Sequence, residues 1–279
     1  MSYTIAGDIH THTLFSRHAY STIAENVAAA RAAGLEVLGS ADHFSCMLFP
    51  EQHIRNFQFF INQGVWPRVW DGVTVLRGME ADIVSLSGEL FGQDISCREN
   101  ITGRPFRTER SLFDQVVRGI DYVVASVHNG DFTEGASLAA TTAMYVKALE
   151  QPRVLLLGHT GRSGVPFDVD EVLEVAKERH KLIEINEHSL NSDAHGAHHT
   201  ACTTIAERCA EMGVGIVVSS DAHIAHDIGR FPFVRSMLEE IHFPQELIAN
   251  RGRAAMLDAL EAAGVCDMLP IRAAHEVRA

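Results

Sequence analysis

The sequence predicts an α/β protein on a parallel sheet, closed as a barrel or open and doubly wound. Two observations predict the class, and a third marks the end of the sheet that matters. Short β-rich runs alternate with helical patterns, and strands joined through helices pair in parallel. Helix start and stop signals fall between the runs. Histidines and carboxylates recur just beyond the runs, where the strand ends of such a fold share one face.

The seven β-rich runs are residues 3–9, 36–39, 73–79, 122–127, 154–157, 182–185 and 215–219. Between the first two, residues 22–34 open with a Thr22/Glu25 capping box and stop at Gly34. Residues 168–180 start in the same way, with Asp168 and Glu171. Residues 200–212 are alanine-rich and stop at Gly213, and 137–150 form a further helical candidate. Beyond Arg251 the chain reads as a helix and a ragged end. The polar stretch 97–111, with Gly103, Pro105 and several charges, reads as an exposed loop insertion. There is no low-complexity linker and no repeat beyond the βα rhythm. Residues 1–279 are therefore expected to form a single domain, and 46% hydrophobic content is enough for one sizeable core.

Composition narrows the function. No apolar run is long enough to span a bilayer. The first residues lack a basic segment followed by an apolar one, so no signal peptide is expected. Five cysteines are scattered without a CxxC pair, which points to a reduced, cytoplasmic protein. The net charge of −13 argues against binding to a nucleic-acid backbone. It does not exclude an anionic substrate, because bound metal ions reverse the local field.

The first run leads into His10-Thr11-His12, and His18 follows in the first loop. The second leads to Asp42-His43, the third to Glu80, the fourth to His128, the fifth to His159 and the seventh to Asp221-Ala222-His223. Imidazole and carboxylate are good ligands for Zn²⁺, Mn²⁺ and Fe²⁺. HxH at a strand end sends two side chains to one side, because residues i and i+2 share a face. A carboxylate such as Glu80 can bridge two metals, and paired metals can clamp a phosphoryl group for in-line attack. A single histidine at a strand end is more often structural than a ligand. The same placement at most strand ends of one sheet favours a metal site.

With these residues in hand, the sequence resembles the PHP family (polymerase and histidinol phosphatase), and within it the YcdX-type phosphatase branch. The matching pieces are Asp8-Ile9-His10-Thr11-His12-Thr13, His18-Ala19-Tyr20-Ser21-Thr22 and Ala41-Asp42-His43. They continue with Trp66-Pro67-Arg68-Val69, Asp71-Gly72, Arg77-Gly78-Met79-Glu80 and His128. Gly158-His159, Glu184-Ile185-Asn186 and Ser219-Ser220-Asp221-Ala222-His223 complete the set. The resemblance implies a distorted (β/α)7 TIM-like barrel and three divalent metals, usually zinc, sometimes manganese or iron. It implies that His10, His12, Glu80 and Asp221 hold one metal. Glu80 would bridge to a second, also held by His128 and His159, and His18, His43 and His223 would hold the third. The chain departs from the branch in the 97–111 stretch and in Thr160-Gly161-Arg162, which replaces a His-Pro-Gly pattern.

The implied activity is hydrolysis of a small phosphorylated metabolite, a phosphate monoester, by metal-bound hydroxide. Three divalent ions against Glu80, Asp221 and a hydroxide leave a local excess of about +3, suited to a phosphate dianion. Glu80, Asp221 and Asp42 are the catalytic candidates. Asp42 is there to orient a ligand imidazole or protonate the leaving group, with a plain structural role as the alternative. Arg17, Arg162 and His195 are the substrate-binding candidates, the arginines as phosphate grips. His188, His198 and His199 share the loop region of His195. The competing readings are a phosphodiesterase or nuclease on the same site, a metal-binding module without turnover, and a barrel hydrolase acting on an amide or lactone. Barrel hydrolases of the last kind often use a metal-ligating lysine, for which there is no obvious candidate. A homo-oligomer, a trimer among the options, is compatible with the branch.

Overall fold

The computed structural model describes residues 3–193 and 196–276. Among them the chain forms strands β1 (Gly7–Thr11), β2 (Val37–Ser40), β3 (His43–Phe44), β4 (Val69–Trp70), β5 (Val73–Asp82), β6 (Ser96–Glu99), β7 (Pro105–Ser111), β8 (Tyr122–Ser126), β9 (Val154–Leu157), β10 (Leu182–Asn186) and β11 (Ile216–Ser219). The α-helices are α1 (Ile23–Ala32), α2 (Gln58–Asn62), α3 (Leu112–Val116), α4 (Leu138–Glu150), α5 (Val169–Glu178), α6 (Glu187–Ser192), α7 (Ala197–Met212), α8 (Pro232–Glu240), α9 (Arg253–Ala263) and α10 (Leu269–Glu276). Seven strands pair in parallel in the order β1-β2-β5-β8-β9-β10-β11 and make a nearly closed barrel. The barrel, not the doubly wound sheet, is the fold.

The seam of the barrel explains its distortion. β11 and β1 meet at their carboxyl ends, where Asp221 N donates to His10 O at 3.0 Å and His12 N to Ala222 O at 2.9 Å. Lower down, the buried side chain of Asn250 stands in for strand pairing. It donates to Gly7 O and Val218 O, both at 2.6 Å, and accepts from Val218 N at 3.0 Å. A side-chain amide satisfies backbone groups that would otherwise be buried without partners.

The helix signals hold. Thr22 and Glu25 form the reciprocal capping box of α1, and Asp168 and Ser137 accept from backbone N–H groups at the starts of α5 and α4. Two boundaries differ from expectation. The first strand covers residues 7–11, not 3–9, because the hydroxyl of Tyr3 donates to the carbonyls of Leu238 and Phe243 and holds the leading residues against the far end of the chain. Residues 97–111 are an antiparallel hairpin of β6 and β7, not a loop. Its turn is set by Asn100, whose Oδ1 accepts from Thr102 N at 2.9 Å and Arg104 N at 3.0 Å, and by Gly103 at φ +81°.

The amino end of the barrel is closed by apolar side chains. Met256, Leu257 and Leu260 of α9, with Val265, Met268 and Ile271, pack against Ile9, Leu76, Tyr122, Leu156 and Val217 from the strands. Tyr122 crosses the interior, and its hydroxyl donates to Ile9 O. A Cβ at Gly39 or Gly78 would run into that hydroxyl, so both positions need glycine for close approach. No helix among the described residues is long and apolar enough to cross a membrane.

Candidate metal centre

The carboxyl end is the opposite. All nine implied ligands converge there: His10, His12, His43, Glu80, His159 and Asp221 are buried, and His18, His128 and His223 lie nearer the surface. Glu80, inside β5, sits at the middle. Its Oε1 accepts from Ser126 Oγ at 2.8 Å and lies 2.9 Å from His159 Nε2 and 3.3 Å from His128 Nε2. Its Oε2 lies 2.6 Å from His43 Nδ1, 3.4 Å from His10 Nε2 and 3.8 Å from His12 Nε2. Asp221 Oδ1 lies 3.0 Å from His12 Nε2 and 3.8 Å from His10 Nε2. On the outer side, His18 Nε2 is 3.2 Å from His43 Nε2 and 3.0 Å from His223 Nε2.

The donor set fits divalent cations. His10, His12 and Asp221, then His43, Glu80 and His128, then His12, His43 and His223 each bring ligand atoms within 4.8 Å of one another. The grouping differs from the implied sets in two main respects: His43 stands beside Glu80 and His128 where His159 was implied, and His12 stands with His43 and His223 where His18 was implied. His43 Nδ1 and Glu80 Oε2 approach at 2.6 Å without the direction of a hydrogen bond, and His10 Nε2 is likewise buried without a partner. Buried polar atoms left unpaired are costly. A cation among them would satisfy several lone pairs at once.

The far nitrogens of four of the rings have partners, whereas His159 Nδ1 is buried without one. His10 Nδ1 meets Glu184 Oε1 at 2.6 Å, His128 Nδ1 meets Asp82 Oδ1 at 2.7 Å, and His223 Nδ1 meets Asp221 O at 2.9 Å. His12 Nδ1 lies 3.0 Å from Ser16 Oγ, which donates to Asp42 Oδ1 at 2.7 Å. Such supports fix the tautomer and the ring direction of a ligand. The electrostatics agree. Burial alone would raise Glu80 and Asp221, but the surrounding imidazoles hold both well below the usual carboxylate range. Burial alone would lower His128, yet Glu80 and Asp82 push it up to about 10. His12 is held well below its ordinary value by burial and by His43.

Asp42 is a support behind the cluster. It accepts from Thr13 N at 2.7 Å, Ser16 Oγ at 2.7 Å and Ser40 Oγ at 2.8 Å, and is fully buried. This geometry serves the orientation of His12 through Ser16 and offers no route to a leaving group. Arg162 lines the cavity above the cluster, with Nη2 donating to Asp221 Oδ2 at 3.1 Å. Arg17 does not. Its left-handed backbone (φ 64°) turns the side chain away, so that the guanidinium donates to Leu48 O at 3.0 Å and lies over the Phe49 ring. His195 lies outside the described residues. His188 lines the cavity above the cluster, whereas His198 and His199 belong to α7 and are not among the lining residues.

That cavity has a volume of about 580 Å³, with the imidazoles on its floor and Arg162, His188, Asn191, Arg230 and Phe233 on its walls. Sequence reasoning missed Arg230, Asp82 and the role of Glu184. It also missed Glu187, which accepts from Phe233 N at 3.0 Å and Val234 N at 2.9 Å and so caps α8 from another element. A signal existed for two of them. Glu184 and Asp82 are charges within buried strands, Leu182–Asn186 and Val73–Asp82, and a buried charge demands a partner.

A nearly closed parallel barrel thus gathers, at its carboxyl end, imidazoles and carboxylates in clusters suited to metal binding. Residues 8–188 match the family model described as PHP domain. A probable phosphatase of Clostridium acetobutylicum is 35% identical over 264 residues, 95% of this chain and 97% of that protein. A probable phosphatase of Clostridium botulinum (strain Langeland) is 38% identical over 257 residues, 92% and 95% of the two chains. Among solved structures, the histidinol phosphate phosphatase of Lactococcus lactis, complexed with zinc, L-histidinol and phosphate, superposes with a TM-score of 0.56 at 17% identity. The match covers 86% of this chain and 94% of that one, and it shows a shared fold. The chain belongs to the PHP family, and it is a phosphatase of that family.

Proposed function

We propose that the protein hydrolyses a small phosphate monoester at a centre of three divalent metals, zinc first, with manganese or iron as alternatives. The observation that carries this reading is the meeting of seven imidazoles and two carboxylates from strand ends around one region, with several of their buried atoms unpartnered. Bound metals supply a low-pKa water and neutralise charge on the phosphoryl oxygens. The chain's own residues do the rest. Glu80 presents one oxygen to each half of the cluster, so it can span two metals. His10, His12 and Asp221 would hold one of them, His128 and His159 the second, and His18, His43 and His223 the third. Arg162, aligned by Asp221, grips a phosphoryl oxygen, and the cavity walls orient the leaving group.

The supports change the charge balance expected from the ligands alone. Glu184 and Asp82 bring two more carboxylates into contact with ligand imidazoles. The local excess falls from about +3 to about +1. Anion attraction then depends more heavily on Arg162 and Arg230 than the ligand set suggests. The zinc of the Lactococcus lactis neighbour supports the choice of metal, and five free cysteines support a cytoplasmic setting.

The test is metal content by mass spectrometry on gently purified protein, paired with hydrolysis of p-nitrophenyl phosphate and of its bis-ester. Three equivalents of metal with monoesterase activity is the expected result. Activity on the bis-ester alone would move the reading to a phosphodiesterase. No metal, with no activity after zinc or manganese is added, would sink it.

A further inference from the structure

We propose that Glu184 is a positioning residue that holds two metal-binding positions in register, by fixing the tautomer of His10 and the strained backbone of His159. The inference rests on the metal reading above and deepens it.

The Glu184 side chain is fully buried in the middle of β10, and four donors converge on its two oxygens. Oε1 meets His10 Nδ1 at 2.6 Å and accepts from Ser219 Oγ. Oε2 accepts from His159 N at 2.6 Å and from Asn186 Nδ2 at 3.2 Å. A carboxylate accepts and does not donate. His10 Nδ1 therefore carries a proton, which leaves Nε2, 3.4 Å from Glu80 Oε2, as the nitrogen that would face a cation.

The second oxygen acts on backbone. His159 has φ +29°, outside the regions that residues with a side chain ordinarily adopt. Such a conformation persists where surrounding contacts over-determine it. The bond from His159 N to Glu184 is one such contact, and it aims His159 Nε2 at Glu80 Oε1, 2.9 Å away. His10 and His159 thus approach opposite oxygens of Glu80, and a single carboxylate sets both. Of the outer histidines, His223 is held by Asp221 O, and no hydrogen bond joins His18, His43 or His223 to Glu184.

Glu184→Gln separates these roles. Its amide has one accepting oxygen and one donating nitrogen, facing four donors. With nitrogen toward His10, the ring must give up its tautomer. With nitrogen toward His159 N, two donors oppose and the turn relaxes. Either way a position beside Glu80 is lost, while the outer group is spared.

The experiment uses the full chain. Metal equivalents are counted by mass spectrometry after gel filtration, and zinc affinity is titrated by calorimetry, for wild type and Glu184→Gln. The expected result is loss of at least one equivalent, or its weakening by about 10–100-fold, with another class of site unchanged and the thermal midpoint after chelation near that of chelated wild type. Unchanged stoichiometry and affinity with a lowered midpoint would make Glu184 merely structural and overturn the proposal. Uniform loss of every equivalent would also overturn it. If Glu184→Gln does not fold, Glu184→Asp keeps the charge and shortens the reach. The same selective weakening supports the proposal, and full affinity overturns it. Wild-type protein that takes up no metal overturns the metal reading and the proposal together, whereas metal-loaded wild type with an indifferent Glu184→Gln overturns the proposal alone.

Discussion

At the amino end of the barrel, Leu260, Met256 and Ile271 are fully buried against strand side chains, and the polar groups of Tyr122 and Asn250 have partners. At the carboxyl end, nine ligand side chains crowd together, buried nitrogens and a carboxylate oxygen lack hydrogen bonds, and His159 and Asp221 sit at positive φ (29° and 56°). The amino end is packed with apolar side chains and leaves few buried polar atoms unpaired, Arg153 Nε among them, whereas the carboxyl end opens into the cavity and gathers unpaired atoms in one cluster. The floor contributes stability through apolar burial, about 25 cal/mol per Å² removed from water. The upper face carries unpaired polar atoms and backbone strain, features that cluster at functional sites. Stability and activity should therefore respond to mutation at different ends.

The sharpest way to break this contrast is Asp221→Asn, because asparagine tolerates the left-handed backbone and removes only charge. Turnover of p-nitrophenyl phosphate should fall by about a thousandfold, roughly 4 kcal/mol at the barrier, with the melting temperature nearly unmoved. A large loss of stability with residual activity would reverse the roles assigned to the two ends. Next is Leu260→Ala on the floor. Chemical denaturation should show a loss of about 2–5 kcal/mol, while kcat/KM measured below the transition stays at the wild-type value. Tyr122→Phe should be milder. It leaves the buried carbonyl of Ile9 without the hydroxyl and should cost about 1–3 kcal/mol, again without altered turnover; a change in metal content would show that the floor reaches the site.

The smallest effect is expected at Lys181, a charged exception near the floor. Burial, then repulsion from Arg179, depresses its pKa to about 8. Its ammonium lies 3.5 Å from Ala263 O. In the unfolded chain the pKa is about 10.4, so the unfolded state binds more protons between those values and stability rises with pH there. The penalty is complete below about pH 8. Lys181→Met should thus be slightly more stable than wild type at neutral pH, with an advantage that shrinks as pH rises from 8 toward 10. A constant difference across that range would show that the charge is not what the site resists.

Much of the site was legible in the sequence because its ligands are tied to strand ends. His10, His12, Glu80, His159 and Asp221 lie within a few residues of apolar runs, and parallel strands place all such positions on one face. Arg17 was misplaced because adjacency in sequence to His18 says nothing about direction once a left-handed residue turns the chain. The 97–111 hairpin was read as a loop because exposed strands lack the apolar alternation that marks buried ones.

By itself, then, the sequence determined the rhythm of strands and helices, the capped helix starts, and the chemical type of the ligands. These depend on local periodicity and on the residues themselves. Strand rhythm left the barrel and the open sheet both possible and the family resemblance implied the barrel; the tertiary structure supplied its seam, in which Asn250 bridges Gly7 and Val218, residues far apart in the chain. It alone decided which carboxylates face the cluster of imidazoles and which stand behind it. Glu80 and Glu184 are the same chemical group in similar buried strands. Only the packing of distant strands fixes that one faces imidazole nitrogens from several sides and the other holds a single ring and a backbone N–H.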